Sequence, residues 1–190
     1  MAAKKRSAKK KSKKRDLAMK DESGWLSLTK AERKKLDKYI GEYMAFLSQA
    51  KTERRCHDLG LELAADKGYV DLQEAIADGR RLEAGDKVYA SIAGKTLILA
   101  RIGKRSPVDG LRVVGGHTDA PRIDLKPRPL YEDGGVALLD SHYYGGIKKY
   151  QWVTIPLALH GKVIKADGGH VDICIGEDPD DPVLTITDIL

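Results

Sequence analysis

Residues 111–121 read Leu-Arg-Val-Val-Gly-Gly-His-Thr-Asp-Ala-Pro, and this stretch decides how the rest of the chain is read. Leu111, Val113 and Val114 have the apolar, β-branched character of a buried strand. Gly115 and Gly116 end that strand where the backbone is expected to pass close to something. His117 and Asp119 then fall at the strand's carboxyl end, the edge at which open α/β sheets gather ligands and catalytic groups. An imidazole with a carboxylate two residues away suits a metal site, because one ring nitrogen can bind the ion while the carboxylate fixes the ring's orientation. On spacing alone the same residues fit a surface loop after a strand better, since an isolated His-x-Asp is a weak motif.

The chain has 190 residues, 42% of them apolar, which is enough for one domain or one and a part and argues against disorder throughout. Nine of its 34 basic side chains lie between Lys4 and Arg15, leaving 25 against 28 acidic groups in the remainder. The basicity therefore belongs to a tail over residues 1–20. Self-repulsion is expected to keep that tail disordered. It reads as a solvated terminus, because a charge run carries no base-reading chemistry; contact of Lys4 to Arg15 with nucleic acid or another polyanion is the alternative. No apolar run of signal-peptide or membrane-span length follows it, so the expectation is a cytoplasmic protein without a membrane anchor. Cys56 and Cys174 are too far apart for a metal knuckle and read as reduced, partly buried thiols.

Thr29 followed by Glu32 makes a capping box, and Leu36, Ile40, Tyr43, Met44 and Leu47 recur at helical spacing, which predicts a helix over Lys30 to Gln49 with a core-packing stripe. Cys56, Leu59, Leu63 and Ala64 predict a second helix that stops at Gly68. His57 lies beside that stripe without a ligand-spaced neighbour and reads as structural or exposed. Lys87 to Ile92 and Thr96 to Ile102 read as a hairpin turning at Ala93-Gly94, with Arg105 to Gly110 looping into the His117 strand. Pro121, Pro127 and Pro129 break the pattern and mark a candidate domain boundary. Beyond it the chain turns all-β, with strands expected over Val136 to Tyr144, Ile155 to Lys165 and Val171 to Ile175, the last two joined by Asp167-Gly168-Gly169.

The blocks VVGGHTDAPRIDLKPRPLYEDGG, HYYGGIKKYQW and IPLALHGKV together resemble the M18 family of zinc aminopeptidases, the aspartyl-aminopeptidase-like group and especially its low-specificity prokaryotic branch. The resemblance runs from about Tyr39 to the last residue. It implies an α/β fold: a partial catalytic domain of helices and mixed sheet over 21–122, then the start of an inserted β-rich assembly domain over 123–190. It matches His117 to the family's first zinc-ligand histidine and Asp119 to the aspartate beside it that supports catalysis. It further implies two zinc ions in the complete enzyme, a peptide substrate held by its free amino end, and a homo-oligomer.

The remaining ligands of such a site come, in the family, from the second half of the catalytic domain. One histidine cannot close a zinc site that takes three protein ligands even when one position is left for water. His142 reads as β-scaffold, and His160 and His170 as packed or solvated imidazoles; Asp124, Glu132 and Asp133 lie near the site in sequence, but Glu132 and Asp133 read as turn acids. The expectation is thus a metalloaminopeptidase's amino-terminal part, inactive by itself. The alternative is a non-catalytic assembly or polyanion-binding module, for which unpaired apolar sheet edge would favour association.

Overall fold

The computed structural model describes residues 23–187, and the basic tail lies outside them. The described chain is mixed α/β and divides into two compact units, one ending at Glu42 and the other starting at Tyr43. The first holds a short helix α1 (Gly24–Ser27) and most of helix α2 (Lys30–Gln49). The capping box forms as expected: the Glu32 amide donates to Thr29 Oγ1 at 3.3 Å and Glu32 Oε2 accepts from the Thr29 amide at 2.8 Å. The Thr29 hydroxyl and amide together hold the Glu32 carboxyl below its ordinary range. Arg33 donates to the Trp25 carbonyl at 2.6 Å, its guanidinium 5.5 Å from the indole centroid. The apolar stripe of α2 does not pack as a core; Tyr39 and Met44 are 62% and 61% exposed.

The core lies in the second unit. Helix α3 (Glu53–Asp66) starts at Thr52, whose side chain accepts from the Arg55 amide at 3.2 Å. It ends where Gly68 takes a φ of +75° and the Tyr69 amide reaches back to the Ala64 carbonyl at 3.0 Å. A two-residue strand β1 (Val70–Asp71) follows, then helix α4 (Leu72–Ala77), capped by the Asp71 carboxylate on the Gln73 amide at 2.6 Å. Strand β1 pairs in parallel with β2 (Lys87–Ile92), which pairs antiparallel with β3 (Thr96–Arg101). Ala93 and Gly94 both take positive φ, 54° and 62°, the two left-handed residues a tight hairpin needs. Leu59, Ala64, Ala75 and Val88 are the buried apolar residues among those described.

His57 joins them at 5% exposure, which decides between the structural and the exposed role that its sequence left open in favour of the structural one. Its Nδ1 lies 3.0 Å from Asp58 Oδ1, an acceptor, so Nδ1 carries the proton and Nε2 accepts from the Ser91 hydroxyl at 2.8 Å. Burial without an orphaned polar atom is what allows an imidazole into so small a core.

Three further expectations need correction. Leu111, Val113 and Val114 form no strand and are 73%, 82% and 99% exposed. A strand exists only as half of a pair, and none of the described residues offers this run a ladder. The prolines do not interrupt the backbone: β4 (Arg122–Asp133) runs through Pro127 and Pro129 to pair antiparallel with β5 (Val136–Tyr144). Its register shifts between Leu125 and Leu130, so both prolines, which have no amide to donate, sit in the irregular segment. The strand expected over Ile155 to Lys165 is shorter, β6 (Leu159–Ile164). Thr154 turns the chain at a φ of +63°, and Leu157 makes only an isolated bridge to Leu184. Strand β6 pairs with β7 (His170–Ile175) around the expected turn, in which the Lys165 amide donates to the Gly169 carbonyl at 2.8 Å. No described helix is long and apolar enough to cross a membrane.

Candidate functional site

His117 and Asp119 sit on a segment without regular secondary structure that leads into β4. Gly115 and Gly116 meet no close approach: a Cβ on either would find nothing within 4 Å. His117 Nδ1 lies 2.8 Å from the backbone carbonyl of Asp119, which can only accept, so Nδ1 carries the proton. That leaves the lone pair on Nε2 of a side chain that is 84% exposed. Asp119 Oδ1 is 3.3 Å from the same Nδ1 and supports the same tautomer.

The second oxygen of Asp119 has its own partner. The Tyr144 hydroxyl, at the end of β5, donates to Asp119 Oδ2 at 2.6 Å. This hydrogen bond, and after it the aspartate's own backbone amide, hold the Asp119 carboxyl below the ordinary carboxylate range, while the carboxylate pushes the Tyr144 phenol up. Arg122 faces Tyr144 across the β4–β5 ladder, its guanidinium carbon 4.1 Å from the phenol ring centroid. Arg122 Nε donates to Asp124 Oδ1 at 2.7 Å, and its Nη1 is 3.8 Å from Glu53 on α3, which Lys95 approaches to 3.5 Å. Partial burial is the largest single influence and works against the Arg122 charge, yet the Asp124 hydrogen bond and the charges of Asp124 and Glu53 together outweigh it, and its pKa is raised.

These groups open onto a concavity of about 950 Å³, with Phe46, Leu63 and Leu97 on its apolar wall and His117, Asp119 and Tyr144 on its polar one. His57 also lines this concavity, whereas the three remaining histidines stand elsewhere. His142 borders a smaller recess with Trp152 and Ile186, and His170 is 3.6 Å from Asp172. His160, which has no carboxylate at close ligand spacing in sequence, lies 3.0 Å from Glu177, which also pairs with Lys51. Glu132 is the turn acid its sequence implied, accepting from the Gly135 amide at 2.7 Å. Both cysteines are free; burial pushes the half-buried Cys56 thiol up, whereas Cys174, expected to be partly buried, is exposed.

Zinc is the metal that the sequence resemblance implies. Among the described residues no three His, Cys, Asp or Glu side chains converge where an ion could sit. Asp119 spends its oxygens on Tyr144 and His117, and Nε2 of His117 is a single donor. This donor set does not fit a closed or a three-ligand zinc site.

Tyr144, Arg122 and Glu53 were missed in sequence. Reading residues 122–133 as a strand would have placed Arg122 opposite Tyr144 and shown the second half of the site.

Comparison with known proteins gives the same family by sequence and by structure. The family model for the aminopeptidase I zinc metalloproteases (M18) matches residues 46–190. A probable M18 family aminopeptidase 1 of Clostridium acetobutylicum is 45% identical over 175 residues, covering 92% of this chain and 38% of that protein. Its Thermotoga maritima counterpart is 41% identical over 163 residues, covering 84% of this chain and 34% of that protein. The crystal structure of aminopeptidase I from Borrelia burgdorferi B31 superposes with a TM-score of 0.81 at 36% identity, covering 88% of this chain and 41% of that one. The M18 aminopeptidase structure from Thermotoga maritima gives 0.79 at 39% identity, over 91% and 37%. The chain thus spans well under half the length of each of these relatives.

Proposed function

This chain belongs to the M18 family of aminopeptidase I zinc metalloproteases, and on that premise we propose that it is the amino-terminal part of a metalloaminopeptidase that removes amino-terminal residues from peptides. In this reading residues 21–122 begin the catalytic domain, and 123–190 begin an inserted assembly domain through which copies associate. His117 is the zinc ligand the chain contributes, through Nε2. Asp119 is the carboxylate that fixes its tautomer. The observation that carries the reading is the Nδ1 contact with Asp119, which leaves the other ring nitrogen of an exposed imidazole free. The other ligands, and a second zinc, belong to the parts of the longer relatives that this chain does not span. The cytoplasm as its place of work belongs to the same proposal.

By itself the 190-residue chain is expected to show no steady turnover of aminoacyl chromogenic substrates in the presence of zinc or cobalt. Chelator-sensitive turnover would overturn the incompleteness of the site. In a longer protein that carries the remaining ligands, His117→Ala is expected to abolish both stoichiometric zinc retention and hydrolysis; full retention of both would remove His117 from the metal site.

A second reading, a non-catalytic assembly module, draws on the exposed apolar run at Leu111, Val113 and Val114. Association without any gain of metal binding or hydrolysis in longer versions would favour it.

A further inference from the structure

We infer that Tyr144 is a positioning residue: reaching from the end of β5 to Asp119, it clamps the 111–121 segment and so sets the direction in which the His117 imidazole points. The inference rests on the reading of His117 as the zinc ligand and concerns how this chain alone prepares it.

The segment has little else to hold it. It contains no helix or strand, and among the described residues no backbone-to-backbone hydrogen bond reaches residues 111–120. Asp119 is joined to His117 on one side and to the Tyr144 hydroxyl, at 2.6 Å, on the other. A phenol donating to a carboxylate is a charge-assisted bond, roughly twice as strong as a neutral one.

The clamp is itself anchored. Tyr144 and Arg122 are register partners in the β4–β5 ladder, and the Arg122 guanidinium lies over the phenol ring. Arg122 is held in turn by Asp124 from its own strand and faces Glu53 at the start of α3. Immediately after Tyr144, Gly145 takes a φ of +71° and packs where a Cβ would come within 3.5 Å of Pro121. The hairpin therefore closes against the residue that ends the segment, and the hydroxyl can reach back over only the two residues between Asp119 and Arg122. Position of the phenol is fixed by the ladder; position of the imidazole is fixed through the phenol.

The test is nuclear magnetic resonance on the isotopically labelled 190-residue chain and its Tyr144→Phe variant, which keeps the ring and removes the hydroxyl. In the unaltered chain the amides of Gly116 to Asp119 are expected in the rigid range, with order parameters near 0.85, and His117 as the Nδ1–H tautomer. In Tyr144→Phe those order parameters are expected to fall below about 0.6 and the tautomers to mix, while the amides of the β4–β5 ladder stay unchanged. Tyr143→Phe, one residue away, is expected to alter neither.

A segment already flexible in the unaltered chain would overturn the inference. So would a Tyr144→Phe variant indistinguishable from the unaltered chain, or one in which the hairpin loosens along with the segment. None of these readouts needs zinc or turnover. Failure of the clamp thus leaves the zinc-ligand reading standing, and failure of His117→Ala to affect zinc retention in the longer protein removes that reading without touching the clamp measurement.

Discussion

Val88 and Val114 are the same residue in the same kind of apolar run, yet the first is 3% exposed and the second 99%. Val88 lies on β2, between β1 and β3 and beneath the helices, so its ladder and its cover are both supplied within about 50 residues of sequence. The run containing Val114 has neither. The difference teaches that β-branched apolar composition confers fitness for a strand and nothing more; the strand itself requires an edge to pair with and a face to bury. It also places the most exposed apolar run of the second unit next to its most chemically organised residues.

The comparison breaks most easily at its two extremes. Leu59→Ala, in the packed region, is expected to cost about 2–5 kcal/mol in urea unfolding. Val114→Ala is expected to stay within about 0.5 kcal/mol. Equal losses would mean that the 111–121 run is packed in solution, against another copy or otherwise. A smaller effect sharpens the same contrast at the entrance to α3: Thr52→Ala removes the oxygen that accepts from the Arg55 amide and is expected to lower stability by about 1 kcal/mol.

The smallest effect concerns acid. Lys51, and after it His160, hold the Glu177 carboxyl below its ordinary value. A carboxyl depressed in the folded state contributes stability in full above its unfolded pKa, about 4.3, and loses it as pH falls through the lower folded value. Glu177→Gln is therefore expected to be slightly less stable than the unaltered chain at pH 7, with the gap closing below about pH 4. A gap that persists at pH 3 would show that the substitution acts through packing instead.

What could be read in advance was what is decided locally. The Thr29–Glu32 box, the Gly68 stop, the Ala93-Gly94 turn and the Asp167-Gly169 turn each depend on residues within a few positions of one another, and each is found where it was expected. What escaped depends on distant partners. Strand β1 is two residues long and exists because Val70 meets Val88; β4 tolerates two prolines because its register slips around them; His160 gains a carboxylate 17 residues away. The site divides in the same manner. His117 and Asp119 were visible because they lie two positions apart, whereas Tyr144 reaches Asp119 from 25 residues further on and carries no signal of its own in a tyrosine-rich block.

The β4–β5 hairpin begins beside Pro121 and returns at Gly145, so its two feet stand together close to Asp119 while its tip, Gly134-Gly135, lies beyond the eight paired positions of the ladder. Such an arm can grow or shrink at the tip in matched pairs of residues without moving its base. Evolution is thereby free to vary the reach of the arm at no cost to the chemistry at its root.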